Sequence, residues 1–292
     1  MRYAFHLLSA VAAAAFLAGP AFAEEDLLTP YKETRPRTDV TTVFGEKPKW
    51  VLTINAVAYV SPDYIGASTY SPWGFPTATL ARAGSPEAFG APDDAISLAF
   101  YDTGSFRTGF VGRAMGGRYD GSDAKLSGLD DVKWAVEPGI FAEYWPIEWL
   151  RTRGEVRYGM NGYWGWVGTL GADVVAKHGP FTFSLGPRLN AGDQRFMDAW
   201  FGVSQQEATA NGRVWAYDPD GGISSWGLVG GVDYAWNDRW HTTLYGTYNN
   251  LVGDAGKSPI VKEIGSADQF AMGLKIGYSF GIGKDAPVVG GW

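Results

Sequence analysis

Three histidines, His6, His178 and His241, are the only side chains whose ordinary pKa lies near neutrality, and no cysteine is present. An acyl-transferring or lipid-hydrolysing site needs a base beside a nucleophile. His6 sits in an apolar N-terminal run, and His178 in the turn Lys177-His178-Gly179-Pro180. His241 opens a strand beside Trp240, one strand away from Asp233. That pair has the right residue types, but between strands it reads better as a structural hydrogen bond, so no catalytic residue is expected. Thiolate metal sites and disulfides are excluded. Tyr217-Asp218-Pro219-Asp220-Gly221-Gly222 has too few acids for a calcium loop and reads as a turn, so neither a metal nor a cofactor is expected.

Charge carries a stronger pattern. Arg151, Arg153, Glu155 and Arg157 recur at a spacing of two and share one face of a strand, and the preceding strand sends Glu137 and Glu143 to its corresponding face. Arg107, Arg113, Asp173, Arg188, Asp233, His241 and Lys275 fall on the polar side of their own segments. Acids and guanidiniums so placed pair across strands. Such an interior serves either a charge-selective pore or a filled, rigid barrel; the mixed signs, with Phe141 on the same face, favour filling. The net charge of −7 gives no basic cluster for nucleic acid.

The elements that position these residues alternate with period two. Phe270, Met272, Leu274, Ile276, Tyr278 and Phe280 oppose Gln269, Gly273, Lys275, Gly277 and Ser279, and the same holds around Trp166–Val174, Phe181–Leu189 and Trp226–Tyr234. After residue 24 no stretch is apolar enough for a membrane helix, while 40 Gly, 13 Trp, 15 Tyr and 16 Phe accompany a slightly negative mean hydropathy. Arg or Lys facing lipid near the midplane costs about 2–4 kcal/mol, so their uniform placement on one face fixes the register. The fold class is all-β, an antiparallel transmembrane β-barrel. Eleven alternating segments are visible; a short strand near Glu87–Gly90 brings the expectation to twelve, the alternative being ten.

Short turns bracketed by Tyr144, Trp145 and Trp149, and by Tyr234, Trp236 and Trp240, read as an aromatic girdle at one interface. The alternate connections, 61–76, 117–132, 191–222 and 251–266, are long and polar, the asymmetry of periplasmic turns and outer loops. Arg2, an apolar run from Ala4 to Leu17 and Ala21-Phe22-Ala23 predict a cleaved signal peptide over residues 1–23. Residues 24–49 read as a periplasmic lead-in, 50–280 as the barrel and 281–292 as a tail. The expected location is the Gram-negative outer membrane, in contact with its lipid and lipopolysaccharide.

Several loop motifs resemble the MipA/OmpV family of outer-membrane proteins. They are Tyr59-Val60-Ser61-Pro62-Asp63-Tyr64-Ile65-Gly66, Gly117-Arg118 with Leu126-Ser127-Gly128-Leu129-Asp130-Asp131-Val132, Gly186-Pro187-Arg188, and Trp200-Phe201-Gly202-Val203-Ser204 with Ala216-Tyr217. Gly253-Asp254-Ala255, Ser258-Pro259-Ile260-Val261, Gly265-Ser266 and Gln269-Phe270 continue the resemblance. It implies an outer-membrane barrel, non-enzymatic, with a scaffold role that joins a murein-degrading lytic transglycosylase to a murein synthase. A narrow channel for small solutes is the competing function. The sequence departs from the family in having Gly162-Tyr163-Trp164-Gly165 after the Arg-rich strand and twelve residues after Phe280.

Overall fold

A computed structural model describes residues 48–82 and 89–284. The expected signal peptide, nearly all of the 24–49 lead-in and most of the C-terminal tail lie outside the described residues. The strands are β1 (Pro48–Pro62), β2 (Tyr70–Arg82), β3 (Ile96–Asp102), β4 (Phe106–Met115), β5 (Ala135–Ile147), β6 (Leu150–Tyr158), β7 (Trp166–His178), β8 (Phe181–Gly192), β9 (Gly222–Ala235), β10 (Trp240–Leu251) and β11 (Asp268–Lys284). They form one antiparallel sheet in the order β2-β1-β11-β10-β9-β8-β7-β6-β5-β4-β3.

The first and last strands pair, from Pro48↔Lys284 to Val60↔Met272, which curls the sheet into a barrel. Thr53 and Ser279 tie them with a buried hydroxyl–hydroxyl bond of 2.7 Å. Period two divides β5 to β8 and β11 as expected, though not the largely exposed β3: on β11, Met272, Leu274 and Ile276 are exposed while Gly273, Gly277 and Ser279 are buried. The exposed face carries Ile54, Trp73, Phe110, Ile140, Val156, Leu170, Leu185 and Leu228, a continuous apolar band around the barrel. Among the described residues no helix is long and apolar enough to cross a membrane.

Eleven strands are described where twelve were expected. Alternating directions make β2 and β3 run the same way, and no ladder joins them among the described residues. The chain must therefore recross the barrel's height between them. Phe89 and Gly90, expected in a twelfth strand whose first half falls outside the described residues, are not in a strand. From Phe89 to Ala95 the recrossing runs inside the lumen. Polar residues in this stretch find guanidiniums there rather than a ladder, as detailed below. The expected loop 61–76 is also shorter, because β2 begins at Tyr70 and pairs with β1 from Pro62 onward.

Connections at one end are tight turns; at the other they are long and fold together. That end carries α1 (Gln194–Phe201), α2 (Gln205–Asn211), α3 (Gly253–Lys257) and α4 (Pro259–Lys262). Asp193 caps α1, and a capping box between Ser204 and Glu207 starts α2, which stops at left-handed Gly212. Leu126, Leu129, Met197, Trp200, Phe201, Ile260 and Val261 bury a second core between these loops, a cap over the barrel mouth. Gly128 has φ +87°, and a Cβ there would come within 2.9 Å of the Ala210 carbonyl carbon, so the 126–132 loop meets α2 backbone to backbone.

Glu207 couples the loops electrostatically. It accepts hydrogen bonds from the Asp130 N–H at 2.9 Å and the Ser204 N–H at 2.7 Å. Burial pushes its pKa up, but these N–H groups and the charge of Arg118 outweigh burial and hold the carboxyl below its ordinary range. A depressed folded-state pKa contributes stability that is present above the ordinary carboxylate pKa, about 4.3, and is lost as pH falls through the lowered value. Cap proteolysis should accordingly accelerate on acidification through that range, and Glu207→Gln should flatten the dependence; an unchanged profile in the variant would assign the acid sensitivity to another group.

Candidate functional site: a plugged and capped lumen

β6 has Arg151, Arg153, Glu155 and Arg157 on its buried face, and the register supplies their partners. Glu143 on β5 stands opposite both Arg107 of β4 and Arg153 of β6, while Arg151 stands opposite Asp173 of β7. Arg151 is fully buried and holds Glu143 at 2.8 Å and Asp173 at 2.9 Å. Arg153 reaches Glu155 at 2.9 Å and Glu143 at 3.2 Å, and lies 4.0 Å over the Phe141 ring. Arg157 bonds Glu137 at 2.9 Å and also pairs with Glu155. Arg107 joins Glu143 at 3.3 Å and Asp102 at 3.1 Å, and Arg188 joins Asp173 at 2.8 Å.

The luminal segment completes this network. Asp93 takes a two-pronged grip from Arg188, at 2.8 and 2.9 Å, and its carbonyl accepts from Arg113 at 2.8 Å. Asp94 binds Arg151 at 2.5 Å and receives the Ala91 N–H at 2.9 Å, closing a tight turn. Phe89 lies 5.3 Å from the Arg151 guanidinium and edge-on to Trp145. On the far wall a Cβ on Gly231 would stand 3.0 Å from Pro92, so the segment spans the lumen from β6 to β9. The cavity left among these charges is about 10 Å³, the threshold for a single water.

Sequence reasoning missed Asp93, Asp94 and Phe89. It also placed Trp145 in the girdle, whereas its Nε1 donates to luminal Glu143 at 3.1 Å. Tyr144 points outward, so its neighbour on the strand must point inward. Tyr144, Trp149, Trp236 and Trp240 are exposed, and Tyr234 packs 4.7 Å from both Phe181 and Trp236. Three more of the predicted charged residues lie on β9, β10 and β11. Asp233 accepts from Thr243 at 2.6 Å, His241 packs over Gly277 beside Asn55, and Lys275 stands opposite Val57 and Thr243. Among the described residues no group of three or more His, Cys, Asp or Glu could hold a metal ion.

Above the plug, beneath the cap, lies a chamber of about 310 Å³. Arg113, Glu137 and Arg157 are its charged residues, and Asn190, Ser225, Thr247, Asn249 and Gln269 give it polar walls. Tyr64, Phe196, Phe201 and Leu251 roof it. Burial pushes the Tyr64 phenol up to about 12 against the opposing charge of Arg118, and its hydroxyl has no hydrogen-bond partner among the described residues. Arg118, buried in the cap, donates to the Trp200 carbonyl at 2.7 Å, and Tyr163 donates to Glu137 at 2.5 Å.

The sequence pattern of the family described as MltA-interacting protein MipA matches residues 54–280, which takes in nearly the whole described barrel and its cap. The chain belongs to the MipA family. Outer membrane protein Omp26La of Vibrio anguillarum is 30% identical over 203 residues, 66% of this chain and 69% of that protein. This MipA-family chain is thus an outer-membrane β-barrel protein, with the location expected from its composition. Among solved structures it is similar to the NanC porin (8% identity, TM-score 0.37, 78% of this chain and 98% of that one) and to an outer membrane channel from Pseudomonas putida F1 (11% identity, TM-score 0.38, 80% and 96%).

Proposed function

We propose that this MipA-family barrel is a non-conducting, non-enzymatic scaffold, which holds a periplasmic lytic transglycosylase, and through it a murein synthase, at the outer membrane. The observation that carries the reading is the filled lumen: Asp93 and Asp94, pinned by Arg188 and Arg151, occupy the cross-section a solute would need. A barrel closed in this way has its surfaces left for function. The family description names the partner class, and the reading turns the tight-turn end, with the 24–49 lead-in expected from the sequence, toward the periplasm.

Immobilised full-length protein should retain the organism's MltA-type transglycosylase, and replacing the β7–β8 and β9–β10 turns together with residues 24–47 should abolish retention. Equal retention by that variant, or none by the wild type, would overturn the scaffold.

A further inference from the structure

The cap end of the barrel, opposite the face that the scaffold reading uses, carries an exposed ledge where β5, β6 and β7 meet the loops. Trp134, Trp164 and Trp166 are 55%, 57% and 55% exposed, which sets three large aromatic side chains on the rim with no protein over them. Contacts make this one surface. Asn161 donates to the Trp134 carbonyl at 2.8 Å, the Met160 N–H bonds the Val136 carbonyl at 2.9 Å, and the Trp166 ring lies 5.0 Å from Tyr158. Along the same strands, exposed Val136, Ile140, Val156 and Leu170 continue the ledge into the apolar band of the wall.

Two cations border the ledge. A Cβ on Gly162 would run into the Lys133 carbonyl, and one on Gly165 would stand 3.1 Å from the Arg195 Cβ, so both residues pack against the Asn161–Gly165 loop. Both are exposed, and neither has a carboxylate within 4.0 Å among the described residues. Arg195 donates to the Trp164 carbonyl at 3.1 Å, which spends one of the guanidinium's donors and steadies the rest. Acids close by in the chain are committed to backbone: Asp193 accepts the Phe196 and Trp166 N–H groups at 3.0 and 2.9 Å, and Asp131 accepts that of Asp120 at 2.8 Å.

An ammonium and a guanidinium beside an aromatic ledge call for phosphate oxygens attached to an apolar body. A free anion would leave the tryptophans in water, and an uncharged lipid would leave the cations unanswered. We infer that this ledge is a specific site for lipid A, the phosphorylated and acylated sugar of lipopolysaccharide, with its phosphates on Lys133 and Arg195 and its acyl chains over Trp164, Trp166 and the wall. Charge is complementary, and the site is continuous with the lipid-facing surface of the barrel.

Native mass spectrometry of the full chain folded in detergent micelles, titrated with bisphosphorylated lipid A, tests this. Lipid A should bind saturably, and phosphate-free lipid A and phosphatidylglycerol should each bind about tenfold more weakly. Lys133→Gln with Arg195→Gln should cost lipid A about tenfold or more in affinity, whereas Lys262→Gln, an exposed charge on α4 beside the β1–β2 loop, should cost nothing. Circular dichroism and heat-dependent gel mobility verify that each variant is folded. Arg195→Gln also removes the bond to Trp164, so Lys133→Gln alone serves as a second variant, with a loss of about fivefold. No saturable binding, equal affinity for phosphate-free lipid A or phosphatidylglycerol, or full affinity in the folded variants would overturn the site.

Discussion

Arg151→Met should lower the unfolding free energy of the micelle-folded barrel by about 3–5 kcal/mol, read from urea titrations followed by tryptophan fluorescence. The side chain is fully buried and touches Asp94, Glu143 and Asp173 at once. Its removal leaves Asp94, Glu143 and Asp173 each short of one guanidinium, with Arg153 and Arg107 still on Glu143 and Arg188 still on Asp173, and buried carboxylates that lose a charge-assisted partner cost more than a lost surface pair. The size of the effect measures that orphaning rather than the intrinsic worth of the ion pairs. Neutralising the acids together with the arginine should recover much of the loss, because contacting groups do not act additively. A loss below about 1 kcal/mol would mean that the network is solvated and that water, not protein, satisfies these acids.

Asp93→Ala with Asp94→Ala should convert a silent protein into a conducting one. Together the two side chains account for the anchoring of the luminal segment to Arg188 and Arg151, and without them a segment of small residues has little to hold it across the barrel. In planar bilayers the wild type should give no steady openings, whereas the double variant should give ohmic ones. The freed Arg188, Arg151 and Arg153 face that path, so the current should favour anions and fall in selectivity as salt screens them. Steady openings of the wild type, altered by Arg153→Gln, would reverse the scaffold reading and make transport the working function.

Much of the barrel wall was legible because lipid on one side and a polar interior on the other impose period two, and every misplaced charge is costly. The Arg-rich face of β6 could be read from spacing alone, as could its carboxylates on β5. The plug could not be read from periodicity, since Gly90-Ala91-Pro92-Asp93-Asp94 has none. A charge count held the missing signal. Arg107, Arg113, Arg151, Arg153, Arg157 and Arg188 outnumber Glu137, Glu143, Glu155 and Asp173 on the strands even with Asp102 beside Arg107, so further negative charges had to come from elsewhere. Asp93 and Asp94 are those charges. Trp145 was misplaced because residue type was allowed to outrank alternation. The cap was recognised as loops, but its helices and its own core depend on contacts between segments far apart in sequence, such as Gly128 with Ala210.

The pairing of β1 with β11 also orders the assembly of the molecule in time. Thr53 meets Ser279 across a sequence separation of 226 residues, so the amino-terminal hairpin has no docking partner until almost the whole barrel has been delivered. The β4–β8 meander and most of its ion pairs are local by comparison and need only neighbouring hairpins. Docking of that hairpin on β11 therefore waits for the most distant contacts in the barrel, and contact order makes it a slow event. The anionic segment lies between this hairpin and β3, so the lumen is filled from a piece of chain that arrives early yet can seat only after the arginine wall exists.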